Sequence, residues 1–135
     1  MAEDAYVPGL VRWLLVVTIA ATILVAAVVR PGQGVGQTGP FGLFTLDLWL
    51  HAAAYLVLEL AALYAVVGGR GPPVVAPVAT VVFVFAYGLV VETIQLGITY
   101  RSFSTADLLA NTVGALAALG LYYLVAWQLR REGLA

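Results

Sequence analysis

Long apolar segments alternate with short polar or glycine-rich stretches along the chain. The apolar segments run over about 10–29, 47–67, 74–97 and 105–129. Each is close to the roughly 20 residues that an α-helix needs to cross a bilayer. Because lipid offers no hydrogen bonds, backbone polar groups must be satisfied inside each segment, which favours helices. The pattern therefore predicts an all-α polytopic membrane protein, a bundle of four transmembrane helices forming a single domain over residues 1–135.

The links between these segments differ. The first, residues 30–45, is long and glycine-rich, but it lacks GK[ST] and a preceding strand, so it does not match a phosphate-binding loop. The second, "GGRGPP" at residues 68–73, predicts a tight turn, and the third is a short polar stretch around Arg101. The first segment is predicted to be a retained helix rather than a cleaved signal peptide. Its leader carries Glu3 and Asp4, and its apolar run exceeds the usual length of about 7–15 residues.

Composition supports the membrane assignment and excludes several functions. Hydrophobic residues make up 63% of the chain and charged residues only 10%, with a mean hydropathy of +1.02. Globular domains carry roughly 25% charged residues. The net charge of −1, without a basic stripe, excludes a nucleic-acid partner. The lack of cysteine excludes disulfides, thiolate catalysis and cysteine-based metal sites.

Arginine placement predicts the orientation of the helices, because cytoplasmic loops are enriched in basic residues. Four crossings put both termini and the 68–73 turn on one side. That side holds Arg12, Arg70, Arg130 and Arg131, and the other holds Arg30 and Arg101. We therefore expect a multi-pass protein of the cell membrane with its N- and C-termini in the cytoplasm.

Polar residues inside the apolar segments repeat at helical spacing. In the second segment they occur at every fourth position, and in the third and fourth segments at spacings of three and four, so each set shares one helix face. They are Asp47, His51, Tyr55 and Glu59, then Glu92 and Gln95, then Asp107, Asn111 and Gly114. Charged residues in membrane segments are costly and usually mark function or buried pairing.

Most of these polar residues lie near the same membrane face. At a rise of about 1.5 Å per residue, six of them are within roughly 10 Å of the face opposite the termini. The six are Asp47, His51, Glu92, Gln95, Asp107 and Asn111. We therefore expect a shared polar pocket near the outer membrane face. Glu59 is the exception, because it lies near mid-membrane.

The same residues resemble the signatures of VanZ-like membrane proteins. "DLWLHAAAY" is similar to their D-K-x-x-H-x-x-x-Y opening, and "ETIQLGITYRSFSTADLLANTVG" to their E-x-x-Q, arginine and D-x-x-x-N-x-x-G series. The resemblance covers roughly residues 47–120. It implies a small multi-pass membrane protein, in a family whose founding members are associated with teicoplanin resistance and for which no reaction is established. It also implies site positions at Asp47, His51, Tyr55, Glu92, Gln95, Arg101, Asp107, Asn111 and Gly114.

The chain departs from the family pattern in two places. The family's lysine after the first aspartate is Leu48 here, so Asp47 lacks that partner. The usual proline near the arginine is absent from "GITYR". Any role that needs the lysine, such as a phosphate contact, does not carry over.

Ordinary structural roles also fit several of these residues. Ser104 and Asp107 form a capping-box pattern at a helix start, and Arg101 is placed to pair with Asp107 across the turn. Asn111 fits an interhelical hydrogen bond, and Gly114 a close-packing position. His51 fits a hydrogen bond to a neighbouring carboxylate, Asp47 or Glu92.

The leading functional hypothesis is a binding protein. Its pocket would hold a membrane lipid headgroup, a lipid-linked envelope precursor or an amphipathic glycopeptide. Arg101 would meet an anionic group, and Tyr55, Gln95 and Asn111 would contribute further contacts. The alternative is a membrane enzyme, with His51 as general base and water as the attacking group. In that enzyme Asp47 would orient His51, and Glu92 or Asp107 would act as the acid.

Three further interpretations stay open. Asp47, His51, Glu92 and Asp107 are metal-ligand types, but no H-x-x-x-H or E-x-x-H spacing supports a site, so we expect no metal and no cofactor. A proton path through Glu59 would need a dimer, since four helices are few for a transporter. In the third interpretation, the polar residues form a buried network that only stabilises the bundle.

Overall fold

The predicted helices are present, and they are the dominant feature of the fold. A computed structural model of the chain describes residues 7–133, apart from 31, 33 and 69–74. The helices are α1 (Gly9–Val28), α2 (Leu46–Val67), α3 (Val75–Gln95) and α4 (Thr105–Arg131), with a short 3₁₀-helix at Pro40–Gly42. Each of the four long helices is long and apolar enough to cross a membrane, and the described residues include no named strand. The all-α prediction is therefore confirmed.

Some of the sequence predictions fall outside the described residues. These are the 69–73 part of the tight turn, the start of the third segment at 74, and the residues Glu3, Asp4 and Arg70. Gly68, just before that turn, ends α2 in a left-handed conformation with φ of 35°. A glycine adopts this conformation without the steric cost that a side chain would bring.

Polar contacts between helices fix their relative directions. Arg12 near the start of α1 donates a hydrogen bond to the carbonyl of Tyr64 near the end of α2. Gln95 at the end of α3 donates to the carbonyl of Ala27 near the end of α1. The chain therefore runs up and down through the bundle. We call the end where α1 and α3 finish and α2 and α4 begin the site end.

Helix α2 is the centre of the bundle. It packs against all three other helices, and most extensively against α4. Gly114 of α4 makes this packing close, because a Cβ atom there would lie 2.1 Å from the carbonyl oxygen of Ala52. Small residues allow helix backbones to approach in membranes. The predicted packing role of Gly114 is confirmed.

The buried core is small and the apolar outer surface is large. Buried apolar residues from each helix meet around α2, and they include Val16, Leu58, Val84 and Ala115. Large hydrophobic side chains on all four helices remain exposed. An apolar exterior of this kind suits a bundle that is surrounded by lipid.

The glycine-rich link between α1 and α2 folds back onto the start of α2. The backbone amides of Leu46 and Asp47 donate to the carbonyls of Gln37 and Val35, at 2.8 and 3.0 Å. The first amides of a helix have no partners within the helix. The link therefore satisfies these amides and covers the site end beside Asp47.

Candidate functional site

A histidine held between two helices is the centre of the candidate site. His51 Nδ1 lies 3.0 Å from Oδ1 of Asn111, so α2 is joined to α4 here. A carbonyl oxygen only accepts hydrogen bonds, so Nδ1 carries a hydrogen with the amide in this orientation. The sequence predicted a partner on Asp47 or Glu92, and the observed hydrogen-bond partner is Asn111 instead.

The other ring nitrogen of His51 faces two carboxylates. Nε2 lies 3.8 Å from Oδ2 of Asp107 and 4.0 Å from Oδ1 of Asp47. The side chain of His51 is 16% exposed, that of Asp107 17% and that of Asp47 32%. We call Asp47, His51 and Asp107 the Asp–His–Asp cluster. Candidate ligand atoms of the three residues lie within 4.8 Å of one another.

Helical spacing and close packing together assemble this cluster. Asp47 and His51 are one turn apart on α2, as Asp107 and Asn111 are on α4. Residues four apart lie on the same face of a helix. Because Gly114 lets the two backbones approach, both faces meet across a narrow gap. The sequence predicted that these four polar residues share one level, and the structure brings them together.

The start of α4 explains why Asp107 is able to face the histidine. Ser104 Oγ accepts a hydrogen bond from the backbone amide of Asp107, at 3.1 Å. In a full capping box the side chain of Asp107, three residues after Ser104, would accept a hydrogen bond from the backbone amide of Ser104. Glu92 of α3 occupies that position, since its Oε2 accepts from Ser104 N at 3.0 Å. The capping prediction is thus confirmed for Ser104, and the Asp107 carboxylate turns towards His51.

Arg101 does not make the predicted ion pair with Asp107. Its Nη2 donates instead to the carbonyls of Ala26 and Val29, at 3.3 and 3.0 Å. The last carbonyls of a helix lack partners within it, and a cation near them is favourable. Arg101 therefore caps the end of α1. The pair prediction was wrong because these carbonyls, which belong to α1, attract the guanidinium. The spacing of residues around the start of α4 carries no information about a contact with α1.

Buried polar atoms without a protein partner surround the histidine. Tyr55 is 1% exposed, and neither its hydroxyl nor Nδ2 of Asn111 has a hydrogen-bond partner among the described residues. The same holds for Oε1 of Glu92, a residue with no exposed surface. Glu92 is close enough to His51 and Asp107 to interact with them electrostatically. Buried polar groups almost always have partners, so these atoms indicate a place for water or a ligand.

A groove of about 380 Å³ opens beside the histidine, between α1, α2 and α3. Apolar side chains of α1 such as Ile23 and Ala26 form one wall. Its polar lining consists of Thr22 and five of the predicted site residues, Asp47, His51, Tyr55, Gln95 and Arg101. We call this cavity the polar groove. The other predicted site residues do not line it: Glu92, Asp107 and Asn111 interact with His51, and Gly114 packs against α2.

Leu48, which occupies the position of the family's lysine, does not line the polar groove. Leu48 lines a second cavity of about 350 Å³ between α2 and α4, which is almost wholly apolar. Its neighbours there include Trp49 and Val113. The departure at Leu48 therefore does not alter the lining of the polar groove.

Three contacts between helices were not predicted from the sequence. Tyr100 and Tyr87 donate through their hydroxyls to the carbonyls of Val28 and Ala20 of α1. Thr80 of α3 donates to the buried carboxylate of Glu59, which lies outside the candidate site. Tyrosine and threonine are common in membrane helices, so their spacing gave no signal of these partners.

Comparison with known proteins identifies a family. The chain matches a family model described as VanZ/LLP1 over residues 12–126, which extends from the first turn of α1 into the last turns of α4. Searches of curated proteins and of solved structures found no significant match.

Proposed function

The chain belongs to the VanZ/LLP1 family, and on that premise we propose that it binds the polar headgroup of an amphipathic envelope component in the polar groove. In this proposal it is a multi-pass protein of the cell membrane with both termini in the cytoplasm. One observation carries the proposal. Five polar residues of the predicted site line a single groove whose remaining walls are mostly apolar.

The groove has the chemistry that an amphipathic ligand requires. Arg101 uses Nη2 for the α1 carbonyls, but a guanidinium has five N–H donors, so others remain for an anionic headgroup. The Asp47 carboxylate accepts hydrogen bonds from hydroxyl or ammonium groups. Ile23 and Ala26 offer an apolar surface along which an acyl chain packs. Sites for small ligands combine a mostly apolar lining with a few placed polar groups in this way.

The position of the groove narrows the ligand class. With both termini in the cytoplasm, the site end lies at the outer leaflet, where membrane lipids and lipid-linked envelope precursors expose their headgroups. An amphipathic glycopeptide is a further candidate, since the family's founding members are associated with teicoplanin resistance. Resistance would then follow from altered access of the drug to its envelope target.

A direct titration tests this function. Purified protein in detergent is titrated with phosphatidylglycerol and, separately, with phosphatidylcholine, and bound lipid is counted by native mass spectrometry. The proposal expects saturation at one anionic lipid per chain, with phosphatidylglycerol retained at higher collision energy. Lipid adducts that grow in proportion to concentration, without saturation or headgroup preference, would refute it.

A second candidate function, a membrane enzyme, is favoured by the arrangement around His51. His51 lines the polar groove, Asn111 fixes its ring through Nδ1, and Nε2 lies between the carboxylates of Asp47 and Asp107. His51 would accept a proton from a water molecule that attacks a lipid-linked substrate, and Asp47 or Asp107 would stabilise the imidazolium. The variant H51A separates the two functions, because an enzyme loses turnover whereas a binding protein keeps part of its affinity for lipid.

A further inference from the structure

The Asp–His–Asp cluster has the atoms and the spacing of a metal site. Its imidazole nitrogen and two carboxylate oxygens come from α2 and α4 and lie within 4.8 Å of one another. Zinc bonds of about 2.0–2.2 Å in a tetrahedral site place ligand atoms roughly 3.3 Å apart. The observed separations of 3.8 and 4.0 Å from His51 Nε2 need to shorten only slightly.

The hydrogen bond to Asn111 favours a cation at this point. Because Nδ1 donates to Asn111 Oδ1, the neutral ring presents the lone pair of Nε2 to Asp47 and Asp107. A lone pair facing two carboxylates is repulsive unless a proton or a metal ion lies between them. Histidines that bind metal usually donate their other N–H to an oxygen acceptor, which fixes the ring. Asn111 provides such an acceptor.

Independent evidence for a ligand comes from groups that do not belong to the cluster. The Tyr55 hydroxyl has no hydrogen-bond partner among the described residues, although this side chain is 1% exposed and lines the polar groove one turn from His51. Oε1 of Glu92, equally buried and unpartnered, interacts electrostatically with His51 and Asp107. Water molecules bound to a metal would donate to Glu92 and accept from Tyr55.

We propose that Asp47, His51 and Asp107 bind one divalent transition-metal ion, with its open coordination positions directed at the polar groove. One imidazole and two carboxylates supply neutral and anionic ligands that balance a divalent charge, and this donor set suits Zn²⁺, Mn²⁺ and Co²⁺. The sequence offered these residue types as ligands, but no H-x-x-x-H or E-x-x-H spacing supported a site, so no metal was expected. The proposal does not depend on which ligand occupies the groove.

The experiment uses the metals alone. Full-length protein is purified in detergent, treated with a chelator and titrated with ZnCl₂ by calorimetry, and CoCl₂ is followed by visible absorption. The proposal expects one ion per chain and a cobalt spectrum of low coordination number. The variants D47N and D107N should each weaken zinc binding at least tenfold and reduce the cobalt absorption.

The control variant is E59Q, which changes a buried carboxylate of α2 two turns from His51. It should bind zinc as the unaltered chain does. Circular dichroism and gel filtration establish whether each variant is folded. Two aspartate variants are used so that the test remains valid if only one of them folds. Less than a stoichiometric amount of metal on the folded wild type, or wild-type zinc affinity in the folded D47N or D107N variant, would overturn the metal site. Either result leaves the lipid titration unaffected, so the two proposals fail separately.

Discussion

His51 of α2 and Asn111 of α4 are joined through Nδ1 and Oδ1 at 3.0 Å. This contact sets the ring orientation, and the orientation decides which groups Nε2 meets. It also joins two helices that begin at the same end of the bundle. The candidate site is therefore a product of the interface between α2 and α4 as much as of either helix.

The first prediction concerns Asn111. Replacing it with alanine removes the acceptor for Nδ1, so His51 loses its fixed orientation. Loss of such a supporting partner typically lowers metal affinity about 10–100-fold. Zinc calorimetry measures the change, and T112A is the matched control because Thr112 bonds within its own helix to Leu108. An N111A protein that is folded and binds zinc unchanged would show that this hydrogen bond does not support the site.

The second prediction concerns the closest approach of the helices. A Cβ atom at Gly114 would lie 2.1 Å from the Ala52 carbonyl oxygen, so G114A forces α4 away from α2. Overpacking of this kind costs about 1–3 kcal/mol. Unfolding in detergent by SDS titration measures the loss. The control is G120A, where a Cβ would meet no atom within 4 Å and the change should be neutral or stabilising by up to ~1 kcal/mol. Equal stability of the two variants would contradict the packing.

The third prediction concerns the start of α4. S104A removes the side chain that accepts from the Asp107 amide, which should cost about 1 kcal/mol of unfolding free energy. The exposed Ser102, two residues earlier, is the control, and S102A should change stability by less than ~0.5 kcal/mol. The same SDS titration compares them. If S104A and S102A unfold together, the capping contact does not stabilise the helix.

The fourth prediction concerns orientation in the membrane. The chain lacks cysteine, so single cysteines report on each side without background. In intact cells, a membrane-impermeant maleimide should label T38C in the α1–α2 link but not E132C after α4. Permeabilised cells should show labelling of both. Labelling of E132C alone in intact cells would invert the assignment and place the polar groove at the cytoplasmic face.

The sequence predicted the helices well, because hydropathy and length decide where a chain crosses a bilayer. The observed ends differ by a few residues at most. Helix α3 finishes at Gln95, whose side chain bonds to α1, rather than at residue 97. Helix α4 extends to Arg131 rather than to residue 129. The common depth of the polar residues was also predictable, since rise per residue fixes depth.

The partners of individual side chains were less predictable. Arg101 bonds to α1 carbonyls rather than to Asp107, and Glu92 rather than Asp107 completes the cap at Ser104. Spacing along one helix determines which residues share a face. It does not determine how neighbouring helices are rotated against each other, and that rotation selects the partners. The metal-ligand geometry of the cluster depends on the same rotation.

The most direct test of the central claim blocks the polar groove from α1. A26F places a phenyl ring on its apolar wall, whereas A21F adds the same ring at an exposed position of the same helix that does not line the groove. Both variants are titrated with phosphatidylglycerol by native mass spectrometry, after gel filtration has established folding. We expect A26F to lower the affinity for phosphatidylglycerol at least tenfold. A21F should bind the lipid with the affinity of the wild type. Equal binding by the two variants would contradict a headgroup site in this groove.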